Sequence, residues 1–273
     1  MANFFFEDVE ELSVIGSAKL DIVNLTGNLN TILTKAGRDF ITVQGNGNSV
    51  ESQKGNDTVQ VFGTLNFVDG GKGNDNILVL EDYNKVFGGK GKDLLTVLGD
   101  FNRVDGGAGN DTVTVTGDLN RVFGGGGKDS ILITGSKNSV KAGAGNDTIR
   151  VLGGPETVDG IDNVLEGGKG RDNIIGGVNN DVIVGGKGND TMTGFLGEDV
   201  FLFKKSDFGA TDIITDFVQG EDKLAIAGFN PVSMPASNGD GSYSFSKGSK
   251  VLTLVFGTDV DLVASDFVDA SAF

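Results

Sequence analysis

The chain predicts an all-β fold, a parallel β-solenoid with one coil per 18 residues and a C-terminal β cap. Three observations carry this. Aspartates recur in one phase, at Asp21, Asp39, Asp57, Asp75, Asp93, Asp111, Asp129 and Asp147, each 18 residues after the last. Asparagines hold a second phase, from Asn30 through Asn48, Asn66, Asn84, Asn102 and Asn120 to Asn138. Apolar columns follow both. Two residues after each Asp come Ile41, Val59, Ile77, Leu95 and Val113, and four after come Val43, Val61, Val79, Val97 and Val115. Two after each Asn come Val50, Val68, Val86, Val104 and Val122. A spacing of two points side chains to one side of a strand. A repeat this short cannot bury its own apolar face, so the copies must stack, at about 4.8 Å per coil.

Each coil therefore reads as a Gly-Asp turn, a short strand, a Gly-x-x-Asn turn and a second short strand. The first turns are degenerate: Thr34 to Asp39 lacks the double glycine, and Gly16 to Asp21 lacks more. Residues 1–33 are expected to form an N-terminal cap with degenerate coils, and little or no metal is expected at Asp21 and Asp39. A roll then spans 34–202. It contains a bulged insertion at 153–160, which places Asp172 25 residues after Asp147. Beyond it, Gly-Asp turns return every nine residues, at Asp172, Asp181, Asp190 and Asp199, so both halves of a coil carry one. From Val200 the pattern fades, and 203–273 reads as the cap.

Composition narrows the function. The net charge of −16 makes nucleic acid and anionic membranes poor partners and cations good ones. Cys and His are absent, which removes disulfides, thiolate or imidazole zinc sites and nucleophile–histidine pairs. No apolar stretch is long enough for a transmembrane span. The start, MANFFFEDVEEL, has neither a basic region nor a long apolar core, so no Sec-type signal is expected there.

The turn itself points to a metal. Packed against copies of itself, it has no room for Cβ atoms and needs positive φ, which glycine supplies. A tight bend also turns several carbonyl oxygens inward, and carbonyls cannot satisfy one another. Stacked aspartates repel. A hard dication answers both problems, because Ca2+ takes six to eight carboxylate and carbonyl oxygens; Mg2+ keeps its water and fits worse. About eight such ions would supply roughly the charge that balances the chain.

GGKGNDNIL (from Gly70), GGAGNDTVT (from Gly106), GGKGRDNII (from Gly167) and GGKGNDTMT (from Gly185) match the nonapeptide G-G-x-G-x-D-x-(large apolar)-x. In these copies the chain resembles the repeats-in-toxin (RTX) family. The resemblance implies a right-handed parallel β-roll, with calcium between successive turns. The position-six Asp and the carbonyls of positions one to four would hold it. Carried onto this sequence, the column begins at Asp57. It continues with Gly70, Gly71, Gly73 and Asp75, and with Gly88, Gly89, Gly91 and Asp93. Gly106, Gly107, Gly109 and Asp111 follow, then Gly124, Gly125, Gly127 and Asp129, then Gly143, Gly145 and Asp147. Past the insertion come Gly167, Gly168, Gly170 and Asp172, then Gly185, Gly186, Gly188 and Asp190. A shorter second column has Gly176 with Asp181, and then Asp199. About six to nine Ca2+ ions are expected in all.

Unlike an ordinary roll of this family, the chain carries the nonapeptide on one side only up to residue 151. Asn30 through Asn138 are expected to form an amide ladder there, each side chain bonding the next coil. Alternating Asn74, Lys92, Asn110 and Lys128 at turn position five reads as charge relief. The C-terminal phrases DVFLF (from Asp199), DIITDF (from Asp212) and GEDKL (from Gly220) resemble the segment that closes rolls in secreted serralysin-type proteins. That resemblance implies export by type I secretion machinery and an extracellular location.

No set of residues breaks the repeat to form a unique cleft, so no enzyme is expected. The function expected is that of a secreted calcium-binding protein with a structural, adhesive or matrix role. The alternative is a non-catalytic module for anionic polysaccharide on the Asn edge, using Tyr83, Phe101, Lys85, Arg103 and Arg121. Against that alternative stands a plain surface ladder in which these cations pair with Asp82, Asp100 and Asp118.

Overall fold

The computed structural model describes residues 2–152, 162–229, 237–247, 250–258 and 260–273. The insertion expected at 153–160 lies outside the described residues. The protein is all-β, a parallel β-solenoid of about 11 coils with 18 residues per turn. It divides into two compact units, Met1–Ile131 and Leu132–Phe273.

In the first unit every coil contributes one strand to each of two parallel sheets. The first sheet runs through Ala2–Glu10, Asp21–Asn28, Phe40–Gln44, Thr58–Phe62, Asn76–Leu80, Leu94–Leu98 and Thr112–Thr116. The second runs through Ser13–Ile15, Thr31–Leu33, Ser49–Glu51, Phe67–Asp69, Lys85–Lys90, Arg103–Ala108 and Arg121–Gly126. Register follows the 18-residue step: Leu95 lies between Ile77 and Val113, and Val104 between Val86 and Val122. The predicted columns are the core. Ile77, Val79, Val86, Leu95, Val97 and Val104 are fully buried. Alternation within each strand explains why, since neighbours such as Leu94 and Leu98 face outward. Phe4 and Phe6 pair with Val23 and Leu25, so aromatic rings lie at the N-terminal end of two aliphatic ladders.

Strands of the second sheet lengthen one coil after the double glycine first appears at Gly70, when Gly89 finds Gly107 as its ladder partner. Phe67–Asp69 has three residues, and Lys85–Lys90 has six because Gly88, Gly89 and Lys90 join the ladder. Glycine permits this: Gly89 has φ 106°, and a Cβ on it would strike the carbonyl of Gly71.

The second unit repeats the plan. Ser139–Ala144, Val164–Lys169, Val182–Lys187, Val200–Phe203 and Lys223–Ile226 form one parallel sheet. Thr148–Val151, Asn173–Gly177, Thr191–Phe195, Thr211–Ile214 and Lys250–Phe256 follow in the other, closed by Ser242–Lys247, which pairs antiparallel to Lys250–Phe256. Parallel winding thus continues past residue 202 before the hairpin ends it. At that end the core changes from aliphatic to aromatic. Phe217 meets Phe201 and Phe256, and Phe229 meets Phe245 and Phe267. Larger rings suit a place where no further coil follows. The last residues also fold back: Val268 N–H donates to the Leu224 carbonyl, and Val268 and Ala270 pack on Val182, Val184 and Leu202.

Candidate metal centre

The Gly-Asp turn joins the end of a second-sheet strand to the start of a first-sheet strand. In Gly88–Asp93, Gly91 sits at φ 136° with its Cα against the coil before; a Cβ would overlap the carbonyl oxygen of Gly73. Gly73, Gly109, Gly127, Gly145, Gly170 and Gly188 share this positive φ at position four. Backbone contact therefore sets position four, and the aspartate two residues on is held close to its neighbours above and below.

Each aspartate ties one oxygen to the preceding coil. Oδ1 of Asp75 accepts the N–H of Asp57 at 2.7 Å, and Asp93 accepts that of Asp75 at 2.8 Å. Asp111 accepts from Asp93 at 2.8 Å, and Asp129 from Asp111 at 2.9 Å. In the second unit Asp172 serves Asp147, and Asp190 serves Asp172. The other oxygen is left over. Oδ2 of Asp57, Asp75, Asp93, Asp111, Asp172 and Asp190 is buried with no hydrogen-bond partner. Such atoms are expensive unless something satisfies them.

Beside the free oxygens of Asp75, Asp93, Asp111 and Asp172 is a space that only glycine leaves open. A Cβ at Gly88 would lie 2.5 Å from the Gly106 carbonyl oxygen and 2.7 Å from Asp93 Oδ2. At Gly70 the corresponding atoms are the Gly88 carbonyl at 2.6 Å and Asp75 Oδ2 at 2.7 Å. Gly106, Gly167 and Gly176 repeat the arrangement with Asp111, Asp172 and Asp181. A carboxylate of one coil and a carbonyl of the next thus converge on one small space. No group of three carboxylates suited to a metal occurs among the described residues, so a cation here would draw on carbonyls as well. The donors are all oxygen, which fits Ca2+.

Electrostatics agree. Burial raises the carboxyl of Asp75 to about 7, with Asp57 and Asp93 adding repulsion, and raises Asp93 to about 6. Burial likewise lifts Asp172 to about 7 and Asp190 to about 6. The shorter column behaves the same way, with Asp181 at about 7 and Asp199 at about 8. Without a countercharge these groups resist ionisation.

Two members of the columns escape the repeat in the sequence. Oδ1 of Asp212 accepts the N–H of Asp190 at 2.9 Å, and Asp222 accepts that of Asp199 at 3.0 Å. They lie 22 and 23 residues from their partners instead of 18. The signal available was DFGATDIIT and FVQGEDKLA, each with Asp at position six and a large apolar residue at position eight.

The first turns differ from the rest. Asp21 is satisfied at both oxygens: Oδ2 accepts the Ser17 N–H, and Oδ1 accepts the Ser17 hydroxyl and the Ala2 N–H. Thr34 and Ser52 stand where later turns have their leading glycine. Ala142 holds the same place in the turn of Gly143, Gly145 and Asp147; it is buried and has no hydroxyl to offer.

On the opposite edge the amide ladder is present, but each side-chain oxygen bonds the coil before it and not the next. Asn66 N–H donates to Asn84 Oδ1 at 2.8 Å, and Asn84 N–H to Asn102 Oδ1 at 2.7 Å. Tyr83 and Phe101 stack at 4.9 Å with rings 4° from parallel, and both are about half exposed. Lys85, Arg103 and Arg121 share one register row of the second sheet. Arg103 lies over Phe123, 4.6 Å from its centroid, and reaches Asp105 at 3.5 Å. The plain ladder of pairs with Asp82, Asp100 and Asp118 needs correction. Asp82 Oδ1 accepts the Asp100 N–H and Asp100 Oδ1 the Asp118 N–H, both at 2.7 Å, so these acids hold turns together. The alternation at position five has a similar basis: Asn74 accepts the Lys92 N–H, and Asn110 the Lys128 N–H.

A family model described as the RTX calcium-binding nonapeptide repeat matches residues 69–104, 98–131, 134–160, 157–192 and 175–202. No curated protein matches the chain. No helix among the described residues is long and apolar enough to cross a membrane. Within residues 69–202, these calcium-binding repeats wound into a β-solenoid form an RTX β-roll.

Proposed function

We propose that the protein is a secreted scaffold that folds when its turns load calcium outside the cell, and that its role is structural, in adhesion or an extracellular matrix. One observation carries the reading: a row of buried aspartate oxygens without partners, those of Asp75, Asp93, Asp111, Asp172 and Asp181 each beside a carbonyl of the next coil. Asp75, Asp93, Asp111, Asp129, Asp147, Asp172 and Asp190 would hold the ions of the main column, together with turn carbonyls. Asp181 and Asp199 would hold those of the second. Bound there, Ca2+ supplies positive charge and oxygen coordination that the chain lacks. Until then the carboxylates repel, and the chain stays largely unfolded, a state suited to type I export. Calcium at extracellular, millimolar levels would complete the sites. The protein's residues do no chemistry in this reading; rigidity is the product.

Calcium titration followed by far-UV circular dichroism tests this. Strand content should appear cooperatively with calcium. An unchanged β spectrum in EGTA would sink the proposal.

A second reading rests on the half-exposed Tyr83–Phe101 stack, a flat apolar surface beside Lys85 and Arg121 that suits an anionic polysaccharide. Binding on a glycan array that disappears in Tyr83→Ala/Phe101→Ala would favour it. No binding, or binding unaltered by the change, favours the structural role.

A further inference from the structure

The leading position of each turn decides what fills the space beside the aspartate. In the turn Gly70–Asp75 that position has no side chain, and Asp75 Oδ2 and the Gly88 carbonyl face the gap. One coil earlier, Ser52 occupies it. Its side chain is fully buried, and its hydroxyl donates to the Gly70 carbonyl at 2.9 Å. That carbonyl is the equivalent of the Gly88 carbonyl in the next space. Another coil earlier stands Thr34, also fully buried, whose hydroxyl donates to the Ser52 carbonyl at 3.2 Å. The first turn of all, at Asp21, is closed by Ser17. The second and third turns therefore place a hydroxyl on the carbonyl that later turns leave open, although Oδ2 of Asp39 and of Asp57 keeps no hydrogen-bond partner.

We infer that the hydroxyls of Thr34 and Ser52 take the place of calcium in the spaces beside Asp39 and Asp57, making the first coils a calcium-independent start for the roll. A hydroxyl is a donor of the right size on a stem of the right length, and at both positions it is fully buried. It satisfies the carbonyl that would otherwise need a cation, and its bulk occupies the position where the cation would sit. The strands Phe40–Gln44 and Thr58–Phe62 then present a formed edge onto which later coils add as they load. Each added coil needs only local closure against a template, which is the favourable step in a stacked repeat. This inference rests on the calcium reading of the later turns.

Native mass spectrometry of the full chain in calcium separates the two. The wild-type chain should bind several ions. Ser52→Gly should bind one more, because it recreates the gap found at Gly70, and Gly88→Ser should bind one fewer. An unchanged count in both variants overturns the inference and leaves the calcium reading standing; no ions on the wild type overturns that reading instead. A second measurement does not depend on Ser52→Gly folding. In EGTA, amide hydrogen exchange of the wild-type chain should be at least about tenfold slower in Phe40–Gln44 and Thr58–Phe62 than in Leu94–Leu98 and Thr112–Thr116. Ser52→Ala, which removes only the hydroxyl, should abolish that protection. Equal exchange in the two pairs of strands overturns the proposal.

Discussion

Asn163 donates both its backbone N–H, at 2.9 Å, and its side-chain amide, at 3.1 Å, to Oδ1 of Asp181. Here the amide ladder turns into a carboxylate column. Asn138 N–H donates to Asn163 Oδ1 in the same manner, and Asp181 N–H to Asp199 Oδ1. Asn and Asp are interchangeable for this hydrogen bond because both present an Oδ1. They differ in the second atom, which is an amide donor in one and a free oxygen in the other. Oδ2 of Asp181 has no partner. Asp181→Asn should accordingly keep the backbone bond to Asn163 and lose about one calcium from the second column. Isothermal titration would show the drop in stoichiometry; an unaltered count would mean that Asp181 holds no ion.

Acid should partly replace calcium. In the folded, metal-free chain, burial raises Asp75 and Asp172 to about 7 and Asp199 to about 8, above the ordinary unfolded value. The folded state thus binds more protons than the unfolded one between roughly pH 4 and pH 8. Stability from these groups is fully present below the unfolded pKa and is lost as pH rises through the folded ones. In EGTA, circular dichroism should show more strand at pH 5 than at pH 8, and calcium affinity should weaken as pH falls below about 7. A calcium-free spectrum independent of pH would contradict this.

Ladder position should govern the cost of core changes. Ile77 is fully buried between Val59 and Leu95. Ile77→Ala should destabilise the calcium-loaded protein by about 2–5 kcal/mol in denaturant unfolding. Leu94 is next to Leu95 but points outward, and Leu94→Ala should cost under about 0.5 kcal/mol. Similar losses at the two positions would mean that the alternation of faces is wrong.

The Asn edge can be tested without metal. Asn84 Oδ1 accepts the Asn66 N–H at 2.8 Å, and its amide donates to the Glu81 carbonyl at 2.9 Å. Asn84→Ala leaves a buried N–H unpaired and should cost about 1–3 kcal/mol. Asn84→Asp keeps the acceptor for Asn66 and places an Oδ2 where the amide was. If the edge then behaves like Asp181, this variant should become more stable as calcium is added beyond saturation of the wild type. A denaturation midpoint that ignores calcium would argue that the Asn turns cannot host an ion.

Much was legible in the sequence because stacking copies one register through the roll. Once Asp75 and Asp93 stand one period apart, Ile77 must meet Leu95 and Asn84 must meet Asn102. The coil length, the buried columns, the amide ladder and the turn aspartates all follow from that single period. What the sequence by itself could not decide is where the period lapses and which way a side chain turns. Asp212 and Asp222 continue the columns although the connecting segments differ in length, because strand pairing, and not spacing, brings them under Asp190 and Asp199. Arg103 takes Asp105 and the Phe123 ring, while Asp100 spends its carboxylate on the Asp118 N–H. Ser52 stands where later turns have glycine, and only its place over the Gly70 carbonyl shows what its hydroxyl does. Periodicity specifies neighbours along the stack; hydrogen-bond direction and the space left by a missing Cβ are set by the folded backbone alone.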